Sequence, residues 1–303
     1  MKQLKKAILN IFLLGLGMIL LPAVSYGAGN KIIGVIMAKD VPYYEAIQKE
    51  FIRKLTGEGS RAQVIVQRPP ADDPMSIANT VRKMSAYGAS VIVSYGPQAT
   101  AIALKEAEGV PVVFAGVSNP GAFARKATGI SSRVPAAGII KNLKSISNFS
   151  TLGVVFLGSS ADSAAQDSEI RGLEGNFGFK AVRLNLRTLK SARVGAVFLT
   201  NECATTRCFR AAVSTARRSR IPAAATTTGG ESSGILLTIA ADPAEQGDGA
   251  AMAVAQVLQG RKPASIAVRQ PRKIDVIIDL KEANAEGLKV PFDLLTSATK
   301  VLH

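Results

Sequence analysis

The sequence predicts an α/β protein of two Rossmann-like lobes with parallel sheets, facing each other across a central cleft. Two observations carry that prediction. Short apolar strands alternate with amphipathic helices at the spacing of βαβ units, which require parallel neighbours. The alternation then restarts after a short polar stretch near residue 130, as a second copy of the same unit would. With 303 residues, 47% of them hydrophobic, the chain is long enough for two cores.

The first segment stands apart from this pattern. Lys2, Lys5 and Lys6 precede an apolar run over residues 7–21, then Pro22 and the small-residue stretch AVSYGA. That is the layout of a secretory signal peptide over residues 1–28. The run is short for a bilayer span, and no cysteine lies nearby for a lipid anchor. The processed chain is therefore expected to be exported and not membrane-anchored. Losing three lysines lowers the formal net charge from +15 to +12. The basic residues are dispersed apart from ARRSR (216–220), without aromatic interleaving or a DNA-reading helix pair. They predict a solvated basic face and no nucleic-acid partner.

The elements follow in order. KIIGVIM (31–37) is a continuous apolar strand, and residues 43–55 form a helix with Ile47, Phe51, Ile52 and Leu55 on one face. AQVIVQ (62–67) is the next strand. Asp73 and Pro74 make the cap and first turn of a helix through Met84. SVIVSY (90–95), a helix from Thr100 and PVVFAGV (111–117) complete the set. TGISSRVPAAG (128–138) is read as a polar crossing between lobes.

The second set comprises TLGVVFLG (151–158), AVRLNLR (181–187), GAVFLT (195–200), IPAAAT (221–226) and GILLTIA (234–240). A helix over residues 244–258 and the strand KIDVIIDL (273–280) close the chain. The lobes are assigned to residues 30–131 plus 241–262 and to 132–240 plus 263–303. One connection fits poorly. Nine residues, 187–195, join two parallel strands where a crossover needs about 10–12. Either one strand is misassigned or this crossover has lost most of its helix.

Ligands of open parallel sheets bind beyond the carboxyl ends of the strands. In the first lobe those positions hold Ser94, Tyr95, Gly96 and Gln98, then Ser118 and Asn119. In the second they hold Ser159, Ser160 and Asp162, then Asn201 and Glu202, then Thr227, and finally Asp242. Hydroxyls, amides and glycines dominate, the groups that hold a small polar ligand by directed hydrogen bonds. All but Asp162 are taken as ligand-binding candidates. Several have a local alternative: Ser160 and Asp242 as helix caps, Asn119 as turn chemistry before Pro120-Gly121.

Enzyme readings find little support. The sole histidine is His303, so Ser-His-Asp and Cys-His sites and histidine metal sites are excluded. No phosphate-loop or dinucleotide fingerprint is present. The carboxylates Asp40, Asp162, Glu202 and Asp242 show no spacing that selects an acid–base pair. The chain reads as a binder without cofactor or metal. Cys203 and Cys208 are either free thiols or a disulfide. A helix over 203–208 would separate their Cα atoms by roughly 8–9 Å, so a bridge demands a non-helical loop there.

The segments GVIMAKDVPYYEAIQKEF, VIVSYGPQATAIALKEAEGVPVVFAGVSNP, TLGVVFLG and KIDVIIDLKEANAEGLKVP, in this order and spacing, resemble the ABC transporter substrate-binding protein family that includes tryptophan- and tyrosine-binding members. The resemblance implies a type I periplasmic-binding-protein fold that closes around an amino acid or similar small polar ligand. It implies a periplasmic monomer that hands its cargo to a partner permease and ATPase. The alternative is a sensory receptor that presents its closed form to a signalling partner. Family members commonly carry Asp-Asn where this chain has Asn201-Glu202, and tyrosines where it has Pro243-Ala244.

Overall fold

The structure, a computed structural model, describes residues 31–38, 41–70, 73–156, 160–185, 187–204, 208–231 and 233–303. The expected signal peptide, Ser159 and the side chain of Glu202 lie outside the described set.

Five strands make the first sheet: β1 (Ile32–Ile36), β2 (Gln63–Gln67), β3 (Val91–Tyr95), β4 (Val112–Val117) and β5 (Ala127–Ser131). All pair in parallel, in the order β2-β1-β3-β4-β5. Helices α1 (Pro42–Gly57), α2 (Pro74–Ala86) and α3 (Pro97–Glu106) are the crossovers. The Asp73 side chain accepts from the Ser76 N–H, with Pro74 at the first helical position, as the sequence predicts.

Residues 128–138 depart from the predicted crossing. Their first four residues belong to the fully buried edge strand β5, and the remainder leaves the sheet. A polar Thr-Gly-Ile-Ser run is compatible with a strand here because Gly129 passes directly against the Phe114 carbonyl, where no Cβ fits. The register of β4 against β5 shifts between Phe114 and Val117.

The second sheet holds β6 (Thr151–Val155), β7 (Lys180–Leu184), β8 (Ala196–Leu199), β9 (Ala223–Ala225), β10 (Leu237–Ala241), β11 (Ile274–Asp279) and β12 (Lys300–Leu302). Their order is β12-β11-β10-β9-β8-β6-β7. Between them run α4 (Ala136–Ile146), α5 (Ala161–Gly172), α6 (Glu174–Phe177), α7 (Asn201–Ala204), α8 (Cys208–Ser219), α9 (Pro243–Leu258), α10 (Leu280–Glu286) and α11 (Phe292–Ser297). The short crossover from β7 to β8 keeps only a 3-10 turn, Leu189–Ser191, so both strands are real and the helix is lost. One local expectation fails: β11 runs antiparallel to β10. Apolar periodicity marks a buried strand but carries no information on its direction.

Both faces of each sheet are covered, as a parallel sheet requires. On the first, Ile33, Val35 and Val93 pack under Ile47 and Phe51 of α1 and Val254 of α9. The opposite face sets Ile36, Ile92 and Phe114 against Val81, Met84 and Ala103. In the second lobe Leu152, Val154 and Phe198 meet Ile139, Leu143 and Ile170, while Val197 and Leu199 meet Ala212 and Val213. Each such fully buried side chain contributes roughly 1.5–3 kcal/mol. Helix α9 follows a strand of the second sheet yet lies along α1.

Candidate functional site

Both sheets carry the same doubly wound order: β2-β1-β3-β4 in the first is matched by β7-β6-β8-β9 in the second. The order reverses between β1 and β3, and again between β6 and β8. Those switch points open crevices at the carboxyl ends of the strands. The loops that end there supply the candidate residues.

Two of the sequence candidates point elsewhere. Ser94 is fully buried, its Oγ 2.9 Å from Thr100 Oγ1 inside the first lobe. Tyr95 is buried too, donating from Oη to Gln48 Oε1 at 2.7 Å, and burial pushes its phenol pKa well up. Side chains alternate across a strand, so lying at a strand's carboxyl end does not aim a residue at the crevice. Gly96 adopts φ 86° as the N-cap of α3 and faces the Tyr44 ring, which would collide with any Cβ. Tyr44 in turn packs against Tyr43 and Tyr95, with ring centroids 6.1 and 6.2 Å away. Gln98 is half-buried in the first turn of α3.

Ser118 and Asn119 do reach the other lobe. Ser118 Oγ donates to Asp162 Oδ2 at 2.7 Å, and the Asn119 N–H donates to Asp162 Oδ1 at 2.6 Å. The Asn201 side chain, on the same lobe, also favours the ionised form of this carboxylate. Burial pushes the Asp162 pKa upward, and these donors, which favour the ionised form, offset it only in part.

Behind Asp162 runs a buried polar chain. Gln166 accepts the Asn201 N–H at 2.9 Å and donates to Thr226 Oγ1 at 3.2 Å. Thr226 also hydrogen-bonds Asn201 Oδ1. Ser163 Oγ donates to Thr200 Oγ1 at 3.0 Å, and Thr200 to the Val155 carbonyl at 2.9 Å. Ser160 caps α5, accepting from the Ser163 N–H at 3.2 Å.

Thr227 is buried nearby. Two residues on, Gly229 at φ 96° meets Pro42, whose Cβ would lie 2.6 Å from an added Cβ. Asp242 caps α9 through the Glu245 N–H at 2.6 Å. Its charge, with that of Glu231, adds to burial in raising the pKa of Asp275 on β11. Tyr43 Oη, at the start of α1, donates to the Ala241 carbonyl at 3.1 Å.

Cys203 and Cys208 form a disulfide with Cα atoms 5.0 Å apart. The distance is compatible with a bridge because α7 ends at Ala204 and α8 begins at Cys208. Both cysteines are buried and brace the segment that begins with Asn201. In ARRSR, Arg217 pairs with Glu282 and Arg218 bonds Ser214 and Thr215.

Sequence reasoning missed Gln166 as a site residue, named Thr226 only among the residues that follow a strand, and left Asp162 among unpaired carboxylates. Only the i, i+4 spacing of Asp162 and Gln166 places them on one helix face, and nothing local ties either to the other lobe. A cavity of about 660 Å³ flanks the Ser118–Asp162 contact, lined in part by Asn119, Ser131, Arg133, Gln166, Glu169 and Gln270. Among the described residues no group of three or more His, Cys, Asp or Glu is placed to hold a metal ion. No described helix is long and apolar enough to cross a membrane.

Comparison with known proteins agrees with this architecture. A Streptococcus pneumoniae ABC domain solved in complex with L-Trp superimposes with a TM-score of 0.82 at 23% identity, covering 90% of this chain and all of that one. A conserved domain protein of Vibrio cholerae reaches 0.80 at 18% identity, covering 90% and 99%. The ligand-free, open structure of a Clostridium difficile substrate-binding protein with adhesive properties reaches 0.65 at 18% identity over the same shares. No curated protein sequence matches the chain significantly. Residues 33–302 match the family described as ABC transporter substrate binding protein. With nearly the whole described chain inside that match, the protein belongs to the ABC transporter substrate-binding protein family.

Proposed function

We propose that the chain is an exported, periplasmic, monomeric receptor that closes its two lobes around an amino acid or similar small polar ligand and delivers it to an ABC permease and ATPase. The observation that carries this reading is the convergence of polar groups from both lobes at one place. Ser118 and Asn119 come from the first sheet, Asp162 and Asn201 from the second. A ligand that touches both lobes favours the closed state by its differential affinity. The lobes would be residues 30–131 plus 241–262 and residues 132–240 plus 263–303; the packing of α9 along α1 supports that division.

An amino acid is favoured over a sugar on electrostatic grounds. Burial, with the nearby charges of Asp242 and Glu231, raises the pKa of Asp275, and an ammonium group would offset that accumulation of negative charge. Among the similar structures, the Streptococcus protein carries L-Trp and an Agrobacterium vitis solute-binding protein carries tagatopyranose. Ser118, Asn119, Asn201, Thr227 and Asp242 are the proposed ligand-facing set, with Gln98 at its margin; Glu202 and Ser159 are proposed from the sequence alone. Native mass spectrometry of the solute-stripped chain, incubated with amino acids, nucleosides and monosaccharides, tests the assignment. A one-to-one amino-acid adduct is expected; a monosaccharide adduct would replace the amino-acid reading. No adduct would favour the sensory alternative, in which a signalling protein is the partner.

A further inference from the structure

Asp162 is 3% exposed and occupies the second position of α5. It does not cap its own helix, because Ser160 does that. Its carboxylate is instead directed at the other lobe, where the Ser118 hydroxyl and the Asn119 N–H each take one oxygen, at 2.7 and 2.6 Å. A hydroxyl paired with a backbone N–H is an arrangement that grips an anion, and charge-assisted bonds of this length are the strong kind. In this chain the anion is a side chain. The two bonds form only when the loop after β4 and the start of α5 meet, so they stabilise the closed arrangement alone.

We propose that Asp162 is a positioning residue that stands in for an anionic ligand group and draws the lobes closed in the absence of solute. Another described contact between the Ser118 side and the Asp162 side supports a structure already shut. Pro42 of the first lobe lies against Gly229 of the second. Beside Asp162 on its own lobe stands Asn201, which is anchored in turn by Gln166 and Thr226. The inference rests on lobe closure and not on the identity of the cargo. Losing two bonds to a charged acceptor is expected to shift the closed-to-open ratio by roughly a hundredfold.

Small-angle scattering of the processed, solute-stripped protein tests this. The wild type is expected to scatter as the closed particle, and D162A as a more extended one. Formate, which carries the missing carboxylate, is expected to restore compactness to D162A while leaving the wild type unchanged. D162N keeps the shape and one acceptor and is expected to fall between them. A solute-free wild type that scatters as an open particle, or a D162A as compact as the wild type, overturns the proposal. Should D162A fail to fold by circular dichroism, S118A removes one bond without touching α5; an S118A as compact as the wild type then overturns it. No cargo enters the experiment, so a failure to find a solute and a failure of this clasp are separate results.

Discussion

Gln246 of α9 closes the gap that the register shift leaves in the first sheet. Its Oε1 accepts the Gly116 N–H of β4 at 3.0 Å, and its Nε2 donates to the Ser131 carbonyl of β5 at 2.8 Å. The side chain is fully buried, so water cannot replace it without opening the packing of α9. Q246A is expected to lower stability by about 2–5 kcal/mol, the cost of two unpaired buried backbone groups, measured by urea unfolding. A loss under ~1 kcal/mol would mean that β4 and β5 re-register.

Gly96 is the position where the first-lobe loop tolerates no side chain. Its backbone is left-handed, and Tyr44 occupies the space a Cβ would need. G96A is expected to cost roughly 1–3 kcal/mol in backbone strain alone, with the Tyr43–Tyr44–Tyr95 cluster disturbed as well. Near-ultraviolet circular dichroism reports the tyrosine change, and an unaltered spectrum with native stability contradicts the packing described.

The disulfide closes a loop of few residues, so its entropic contribution is modest, about 2 kcal/mol. Reduction, or a C203S/C208S pair, is expected to lower stability by about that much while leaving the fold intact. The thermal midpoint with and without reductant reads it. Because the bridge braces the segment starting at Asn201, solute affinity is expected to fall in the same variants.

Glu286, on α10, has a pKa raised to about 7 by burial and by the neighbouring Glu282, with Arg217 pulling the other way. A carboxyl whose folded pKa exceeds its unfolded value favours folding fully below the unfolded value, and that advantage is lost as pH rises through about 7. E286Q, permanently neutral, is therefore expected to gain stability over the wild type at pH 8, by about 1–2 kcal/mol after solvent screening. At pH 4 the two should unfold alike. An equal difference at both pH values would place the effect in packing.

Much of the architecture was legible because its signals are local. Continuous apolar runs such as VIVSY mark strands buried on both faces, and the Asp73-Pro74 pair marks a helix start. What escaped was relational. The edge strand at Ala127–Ser131 looks polar, since its fit depends on Gly129 passing the Phe114 carbonyl. The direction of β11 follows from where α9 packs, not from its own residues. Ser118, Asn119 and Asn201 follow strand ends, where the sequence pattern puts them. Ser94 and Tyr95 also close a strand, but their partners Thr100 and Gln48 take them into the lobe interior. Asp162 was the hardest to weigh, because its partners lie 43 and 44 residues away, on the other sheet.

The central claim is that a small polar solute bridges the two lobes, and thermal unfolding tests it most directly. The processed, solute-stripped protein would be melted across a concentration series of each amino acid, with an external dye, since the chain contains no Trp. A ligand that binds only the native state raises the midpoint by mass action, about 2.7 kcal/mol at a hundredfold excess over Kd. The account predicts a saturable rise with one chemical class, lost in N201A. A flat midpoint with every amino acid, peptide, nucleoside and sugar, in protein shown to be folded, would contradict it.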